Sequence, residues 1–355
     1  MASPLTVLAG PDALAELRSH GLRPDRVRVL AAASGGPKGL VLHGLDRVLF
    51  PWLLARRTPL HAVGSSIGSW RLACLAQPDP VAALERFADA YVAQRYPSKP
   101  PPAEVSRQSA GILDAILGRA GAGHLARHAT LRAHVVTVRA RHLVAREGRA
   151  QALALGVTAA LNAVDRRALN ASLERVVFDA IGEDGAPDRG PFAPWGALRT
   201  RHAPLLEANA KDALMASAAV PLVMEGVRDP VAAPKGVYRD GGMSDYHFGA
   251  EIDPDDGLAL YPHFFPELAP GWFDKKLRWR RTRGLRRTIV IAPSPTFVAQ
   301  LPLAKIPDRQ DFARLDDDAR IRVWRAVLDA TRRMGDALAA LLERDRLAMV
   351  ARPLR

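Results

Sequence analysis

From Val27 onward, apolar runs of strand length alternate with longer stretches of helical spacing, and that alternation commits the chain to an α/β fold with a largely parallel sheet. The first strand is predicted over Val27 to Ala33. After Pro37, residues Leu40, Val41, Leu45, Val48 and Leu49 recur at helical spacing, and a second apolar segment, Leu60 to Val63, runs into a turn at Gly64. Further strands are expected at Ala133 to Val138, Arg175 to Asp179, Val237 to Arg239 and Thr288 to Ile291, and helices at Val81 to Ala93 and Ser109 to Leu117. The proline-rich stretch Tyr96 to Pro102 reads as a surface loop, and Gly182 to Pro194 as another turn-rich connection. Asp316 to Leu347 reads as one long amphipathic helix with Ile321, Trp324, Val327, Leu328, Met334, Leu338 and Leu341 near one face. No repeat or linker interrupts the pattern. One domain is therefore expected over 1–355, with its core at about 25–300 and a C-terminal helical segment, 305–355, packed on it.

Composition narrows the class. A chain of 355 residues with 48% hydrophobic and 25% charged residues can bury a large core, and it holds no run near the roughly 20 apolar residues of a membrane span. Met1 to Thr6 lacks the basic and apolar segments of a secretory signal, and Cys74, as the single cysteine, allows no internal disulfide. A cytoplasmic location is the expectation. Net charge is +13, from 50 Lys and Arg against 37 Asp and Glu, which attracts polyanions without choosing among them.

Three motifs carry chemistry. In Gly64-Ser65-Ser66-Ile67-Gly68 a tight turn between a strand and a helix would expose Ser66 in a strained conformation, with the glycines removing clashes on either side. Read alone, the same glycines describe an ordinary close strand–helix turn. Ser34-Gly35-Gly36-Pro37-Lys38-Gly39 follows the first strand and precedes a helix. Its Gly35 and Gly36 amides are natural donors to an oxyanion, whereas Pro37 has no N–H. The spacing fits neither Gly-x-x-x-x-Gly-Lys-Ser/Thr nor Gly-x-Gly-x-x-Gly, which argues against a phosphate loop. In Tyr238-Arg239-Asp240-Gly241-Gly242 an acidic residue ends a short strand; a carboxylate there is placed to take the Ser66 proton, although the tripeptide alone is a common turn.

Together, in this order, the motifs resemble the patatin-like phospholipase family over roughly Val27 to Gly242, supported by the small-residue segment Met215 to Pro221 ahead of Asp240. The resemblance implies a three-layer α/β/α sandwich and a lipid acyl-ester hydrolase of the phospholipase A or lysophospholipase kind. It implies a Ser66–Asp240 dyad, Gly35 and Gly36 as the oxyanion hole, and Lys38 as the basic residue beside it, with no cofactor or metal. One departure is that Ser34 stands where the family's glycine triplet begins.

Other readings stay open at this stage. A conventional Ser-His-Asp esterase would draw its histidine from His247 or His263, of which His247 reads equally as a surface residue beside a turn. His124 and His128, four apart, raise a metal reading by sharing a helix face, but no glutamate lies between them and no metal is expected. Asp253 to Gly257 fails calcium-loop spacing. The densest basic segment, Lys275 to Arg287, is interleaved with tryptophan, which makes Trp272, Trp279, Arg280 and Arg281 candidate contacts to an anionic membrane surface, with a solvated loop as the plain alternative. A non-catalytic nucleic-acid- or partner-binding protein would use the same charge. It leaves the three motifs unexplained, and no specific nucleic-acid partner is expected.

Overall fold

The computed structural model describes residues 3–354 apart from Ser98, Ala193, Arg278 and Arg283; of the basic segment, Arg278 and Arg283 thus lie outside the described residues, as does Ser98 of the proline-rich stretch. Its centre is one mixed, largely parallel sheet flanked by helices. The strands are β1 (Leu5–Ala9), β2 (Val27–Ala32), β3 (Leu60–Ser65), β4 (Leu131–Ala140), β5 (Leu173–Asp179), β6 (Thr200–Pro204), β7 (Val227–Arg228), β8 (Val237–Asp240), β9 (Leu258–Pro262), β10 (Thr288–Pro293) and β11 (Ala351–Pro353). The order across the sheet is β11-β1-β10-β9-β2-β3-β4-β5-β6, with β10, β9, β2, β3 and β4 mutually parallel. β2 and β3 are buried on both faces, which is why they read as continuous apolar runs.

Two features of the topology position the site. Chain order reverses around β2, whose neighbours are β3 on one side and β9 on the other, and the crevice at such a switch point opens at the carboxyl ends of the strands. The Gly35-Gly36 turn leaves β2 there. The second feature is a shared edge. β5 occupies one edge of β4 along His134–Ala140; on the other edge β3 pairs with Leu131–Val136, and β8 takes over antiparallel, with Asp240 opposite Thr137. β3 and β8 therefore meet end to end, carboxyl terminus against carboxyl terminus, and bring Ser66 to Asp240.

Several boundaries differ from the sequence reading. The turn after β2 begins as a 3₁₀ segment, Gly36–Leu42, before the α-helix His43–Leu54. Pro102 opens the helix Pro102–Leu117 instead of closing a loop, a position where its missing N–H costs nothing. The long helix spans Asp317–Glu343, capped by the Asp316 side chain accepting from the Ala319 N–H at 2.7 Å; it breaks after Glu343, and Leu347 begins a separate short helix. Trp324, Val327, Met334 and Leu338 form its buried face, and Gly335 lets it approach the helix His43–Leu54 so closely that a Cβ there would lie 2.5 Å from the Gly44 carbonyl oxygen. No described helix is long and apolar enough to cross a membrane.

Candidate active site

The turn between β3 and the helix Ile67–Leu75 holds Ser66 at φ 53° and ψ −129°, in the left-handed half of backbone space that a non-glycine residue rarely adopts. Close packing requires the flanking glycines. A Cβ on Gly68 would lie 2.0 Å from the Ala32 carbonyl oxygen, and one on Gly64 2.8 Å from the Ser69 nitrogen. The strained residue is held from behind: the Ser66 N–H donates to Ser217 Oγ at 2.8 Å, and that hydroxyl donates onward to the Val136 carbonyl at 2.7 Å. Ser217 belongs to the small-residue segment Met215 to Pro221, whose helical part ends at Ala218.

Ser66 Oγ donates to Asp240 Oδ2 at 2.8 Å, and Asp240 Oδ1 accepts the Gly242 N–H at 2.7 Å. Burial raises the Asp240 carboxyl above its ordinary range, opposed by the Arg309 charge, the Ser66 hydroxyl, the Gly242 amide and Lys275. A carboxylate with a raised pKa and one lone pair aimed at a serine hydroxyl is suited to accept its proton. The segment after Asp240 is anchored by Arg175, which binds both Asp245 oxygens at 2.6 and 2.7 Å, while Ser65 Oγ donates to the Asp245 carbonyl at 2.6 Å.

Gly36 sits at φ +57° at the start of its turn, where the first N–H groups have no intrahelical acceptor. Gly35 faces the Phe264 ring, which a Cβ would meet at 2.6 Å. The Ser34 N–H is occupied by the Tyr246 carbonyl at 3.0 Å, so the residue that departs from the glycine triplet offers no free backbone donor.

Two cavities meet at this point. The larger, of ≈ 710 Å³, contains Ser66 and is walled by Ile67, Trp70, Tyr91, Val105, Met224 and Phe312. The smaller, of ≈ 260 Å³, contains Asp240 together with Ser34, Lys38, Tyr246, Trp272 and Lys275. Gly36, Val220 and Arg309 line both. The proline-rich stretch is not a free surface loop, because Tyr96, Pro97 and Pro100 form part of the larger cavity's wall.

The remaining sequence candidates fall elsewhere. His247 is buried and not at the surface; its Nδ1 accepts the Ala269 N–H at 2.8 Å, and its ring abuts those of His263 and Phe264. Desolvation pushes the pKa of both imidazoles well down, and no histidine lines either cavity among the described residues. His124 and His128 share no helix face, because the helix Gly121–Ala126 ends between them, and His128 Nδ1 accepts the Leu131 N–H at 3.0 Å. Asp253 takes the Arg287 N–H at 3.0 Å and the Thr288 hydroxyl at 2.6 Å, which fixes the start of β10. Arg280 is not free for a membrane: it pairs with Asp274 at 3.2 Å, and Arg166 holds the other oxygen of the same carboxylate. Of the four aromatic and basic surface candidates, Trp272 lines the smaller cavity, Trp279 is exposed, and Arg281 is half-buried.

Two residues escaped the sequence reading of the site. Arg309 lies far beyond the last motif, in the stretch Lys305 to Asp311, with no local pattern to announce it. Lys275 was visible only as one cation in a basic run. No family model and no curated protein matches the chain. Among solved structures, VipD from Legionella pneumophila is similar at 12% identity over 73% of this chain, with a TM-score of 0.33; this chain spans 53% of that one, and a likeness of this degree carries no argument about function.

Proposed function

We propose that the protein is a serine acyl-ester hydrolase acting on lipid esters, of the patatin-like kind that its motifs resemble, with Ser66 as nucleophile and Asp240 as its base. The observation that carries this reading is the 2.8 Å hydrogen bond from Ser66 Oγ to Asp240 Oδ2 at the junction of two cavities. In the reaction, Asp240 takes the hydroxyl proton as Ser66 Oγ attacks the acyl carbonyl. The oxyanion is met by the amides of Gly35 and Gly36, with the positive end of the Ile67–Leu75 helix close by. As the tetrahedral intermediate collapses, the alcohol leaves with the proton from Asp240 and an acyl-Ser66 ester remains. Water, deprotonated by the same carboxylate, then releases the acid and restores both residues.

The apolar walls of the larger cavity suit a hydrocarbon acyl chain. The dyad reading is favoured over a Ser-His-Asp relay because Asp240 already occupies the position from which a histidine would act. The test compares p-nitrophenyl ester hydrolysis by the wild-type chain, Ser66→Ala and Asp240→Asn. Loss of turnover in both variants is expected; near-normal rates for Ser66→Ala would dispose of the proposal.

A further inference from the structure

The smaller cavity carries charge that the dyad does not use. Lys38, Lys275 and Arg309 all line it, and none of the three has a carboxylate within ion-pair distance among the described residues. Their placement is built. Lys275 follows Asp274, which is clamped by Asn162, Arg166 and Arg280, and its Nζ lies 3.7 Å from the centroid of the Tyr246 ring. Arg309 is carried by a pinned loop in which Lys305 holds Asp308 at 3.1 Å and Asp311 at 2.6 Å, while the Trp324 indole N–H donates to Asp311 at 3.0 Å. Lys305 thus engages both acidic neighbours of the loop, and Arg309 lines the cavity with no carboxylate of its own within ion-pair distance among the described residues. Two described carboxylates line the cavity with the three cations, Asp240 from the reacting side and Asp308, which Lys305 already holds.

We infer that this cavity receives the leaving alcohol of the ester and that this alcohol carries a negative charge, as a phosphate or a carboxylate. The inference rests on the hydrolase reading. The leaving oxygen must take its proton from Asp240, and Asp240 lines the small cavity while Ser66 lines the large one, so the acyl chain and the alcohol are separated by the dyad itself. At ≈ 260 Å³ the small cavity suits a compact polar group and not a hydrocarbon chain. Cations held without partners in a partly desolvated pocket bind an anion through charge-assisted hydrogen bonds.

The test is the ratio of kcat/KM for a lysophosphatidic acid to that for the neutral monoacylglycerol with the same acyl chain. The wild-type chain is expected to favour the anionic ester by about tenfold or more, and Lys275→Met and Arg309→Met each to reduce the ratio by about tenfold. A wild-type ratio near one, or a ratio unchanged in both variants, overturns the inference. A second measurement separates it from the hydrolase reading: titration of Ser66→Ala with glycerol 3-phosphate, followed by Trp272 fluorescence and calorimetry. Binding that disappears when Lys275→Met is added, alongside a wild-type chain that shows no esterase turnover, keeps the pocket and removes the hydrolase reading. Inorganic phosphate binding as tightly as glycerol 3-phosphate makes the cavity a free-phosphate site and overturns its assignment to the leaving group.

A separate observation, independent of chemistry at Ser66, concerns the helix Arg149–Val164, which is built inside out. Its buried face is mostly polar, with Leu155 its one buried apolar side chain of size: Gln151 donates to the Val144 carbonyl at 3.0 Å and accepts the Leu222 N–H at 3.1 Å, Thr158 donates to Ser172 Oγ at 3.0 Å, and Asn162 donates to Asp274 at 2.8 Å. Its outward face is apolar, with Leu153 69%, Val157 53%, Leu161 46% and Val164 86% exposed at helical spacing. No charged residue occurs from Ala150 to Val164, whereas Arg146, Arg149, Arg166 and Arg167 flank the run against Glu147, which pairs with Arg239, and Asp165. Arg280, next in sequence to exposed Trp279, reaches the Ala163 carbonyl at 3.3 Å, and Gln151 binds the N–H of exposed Leu222, which lies between the cavity-lining Pro221 and Val223.

We infer that this face lies on the surface of an anionic bilayer, with the arginines and Trp279 at the headgroup level and the cavity mouth toward the lipid. An apolar stripe flanked by cations matches that surface in both polarity and charge. Cosedimentation of the full chain with phosphatidylcholine vesicles with and without phosphatidylserine tests it. Binding is expected to require phosphatidylserine and to weaken about tenfold or more in Val157→Glu and in Leu153→Ser. Unchanged binding in both variants, both with native circular dichroism, overturns the inference, as does a concentration-dependent dimer that Val157→Glu dissolves, since a second copy would then cover the face.

Discussion

The two ends of β3 and β4 both bury polar clusters, and the clusters differ in one respect. At the amino end of β3, His61 Nδ1 lies 3.1 Å from His134 Nε2, His134 Nδ1 lies 2.7 Å from one oxygen of Asp179, and His202 Nδ1 lies 2.6 Å from the other, with Phe192 packed edge-on over the histidine rings. Burial keeps His61 uncharged, and every member has a partner inside the protein. At the carboxyl end, about 16 Å away along the strand, Ser66 is strained, Asp240 is desolvated, and Lys38, Lys275 and Arg309 face a cavity. A satisfied network stabilises and specifies a fold; charges left without partners are arranged for something that arrives.

The comparison breaks most readily at the carboxyl end. Ser66→Ala should lower kcat on a lipid ester by about 10⁴-fold or more, with the melting temperature little changed, because the hydroxyl oxygen is the nucleophile of the proposed reaction. Asp240→Asn should lower kcat by about 10³- to 10⁴-fold and raise the melting temperature at neutral pH. The sign follows from the raised pKa. The folded state holds the Asp240 proton more tightly than the unfolded chain does, so its contribution to stability is present at low pH and is lost as pH rises through the folded value. A neutral amide removes that cost. A melting temperature that falls in Asp240→Asn would mean the carboxylate supports the fold as its counterpart Asp179 does.

The amino end should respond in the opposite sense. Asp179→Ala orphans the ring nitrogens of His134 and His202 and should destabilise the fold by about 1–3 kcal/mol for each group left unpaired, while turnover per folded molecule stays near wild type. Equal loss of turnover and stability would dissolve the distinction between the two ends. The smallest expected effect is a difference in pH profiles. Desolvation, Lys38 and Arg309 depress Lys275 to about 7, with Asp240 opposing, so its charge fades as pH rises through that value. Lys38 and Arg309 face it across the cavity, and the Tyr246 and Trp272 rings border it. For a neutral ester, kcat/KM should rise with the ionisation of Asp240 and then level; for an anionic ester it should rise and then decline from about pH 7 upward.

What was legible in the sequence was local. The glycines around Ser66 are forced by backbone atoms within a few residues and by the neighbouring β2, and the alternation of apolar runs reflects strands buried on both faces. Asp240 was legible as the end of a short strand, but its meeting with Ser66 depends on β8 continuing β3 along one edge of β4, which no local pattern encodes. The charged pocket was hidden for the same reason. Lys275 belongs to a basic run some of whose members are neutralised, Arg280 by Asp274 and Arg286 by Asp12, and only the fold separates these paired cations from Lys275. His247 beside a turn read as a surface residue because the layer of Phe264 and His263 that covers it comes from a later strand end. The helix Arg149–Val164 lacks the usual amphipathic periodicity because three of its four buried residues, Gln151, Thr158 and Asn162, are polar.

The most direct test is covalent capture. The folded chain, treated with a fluorophosphonate probe and digested, should carry the label on Ser66 in the wild type and lose it in Asp240→Asn, since labelling requires a serine activated by its base. A folded wild-type chain that takes no label at Ser66, or labelling unchanged in Asp240→Asn, would contradict the dyad.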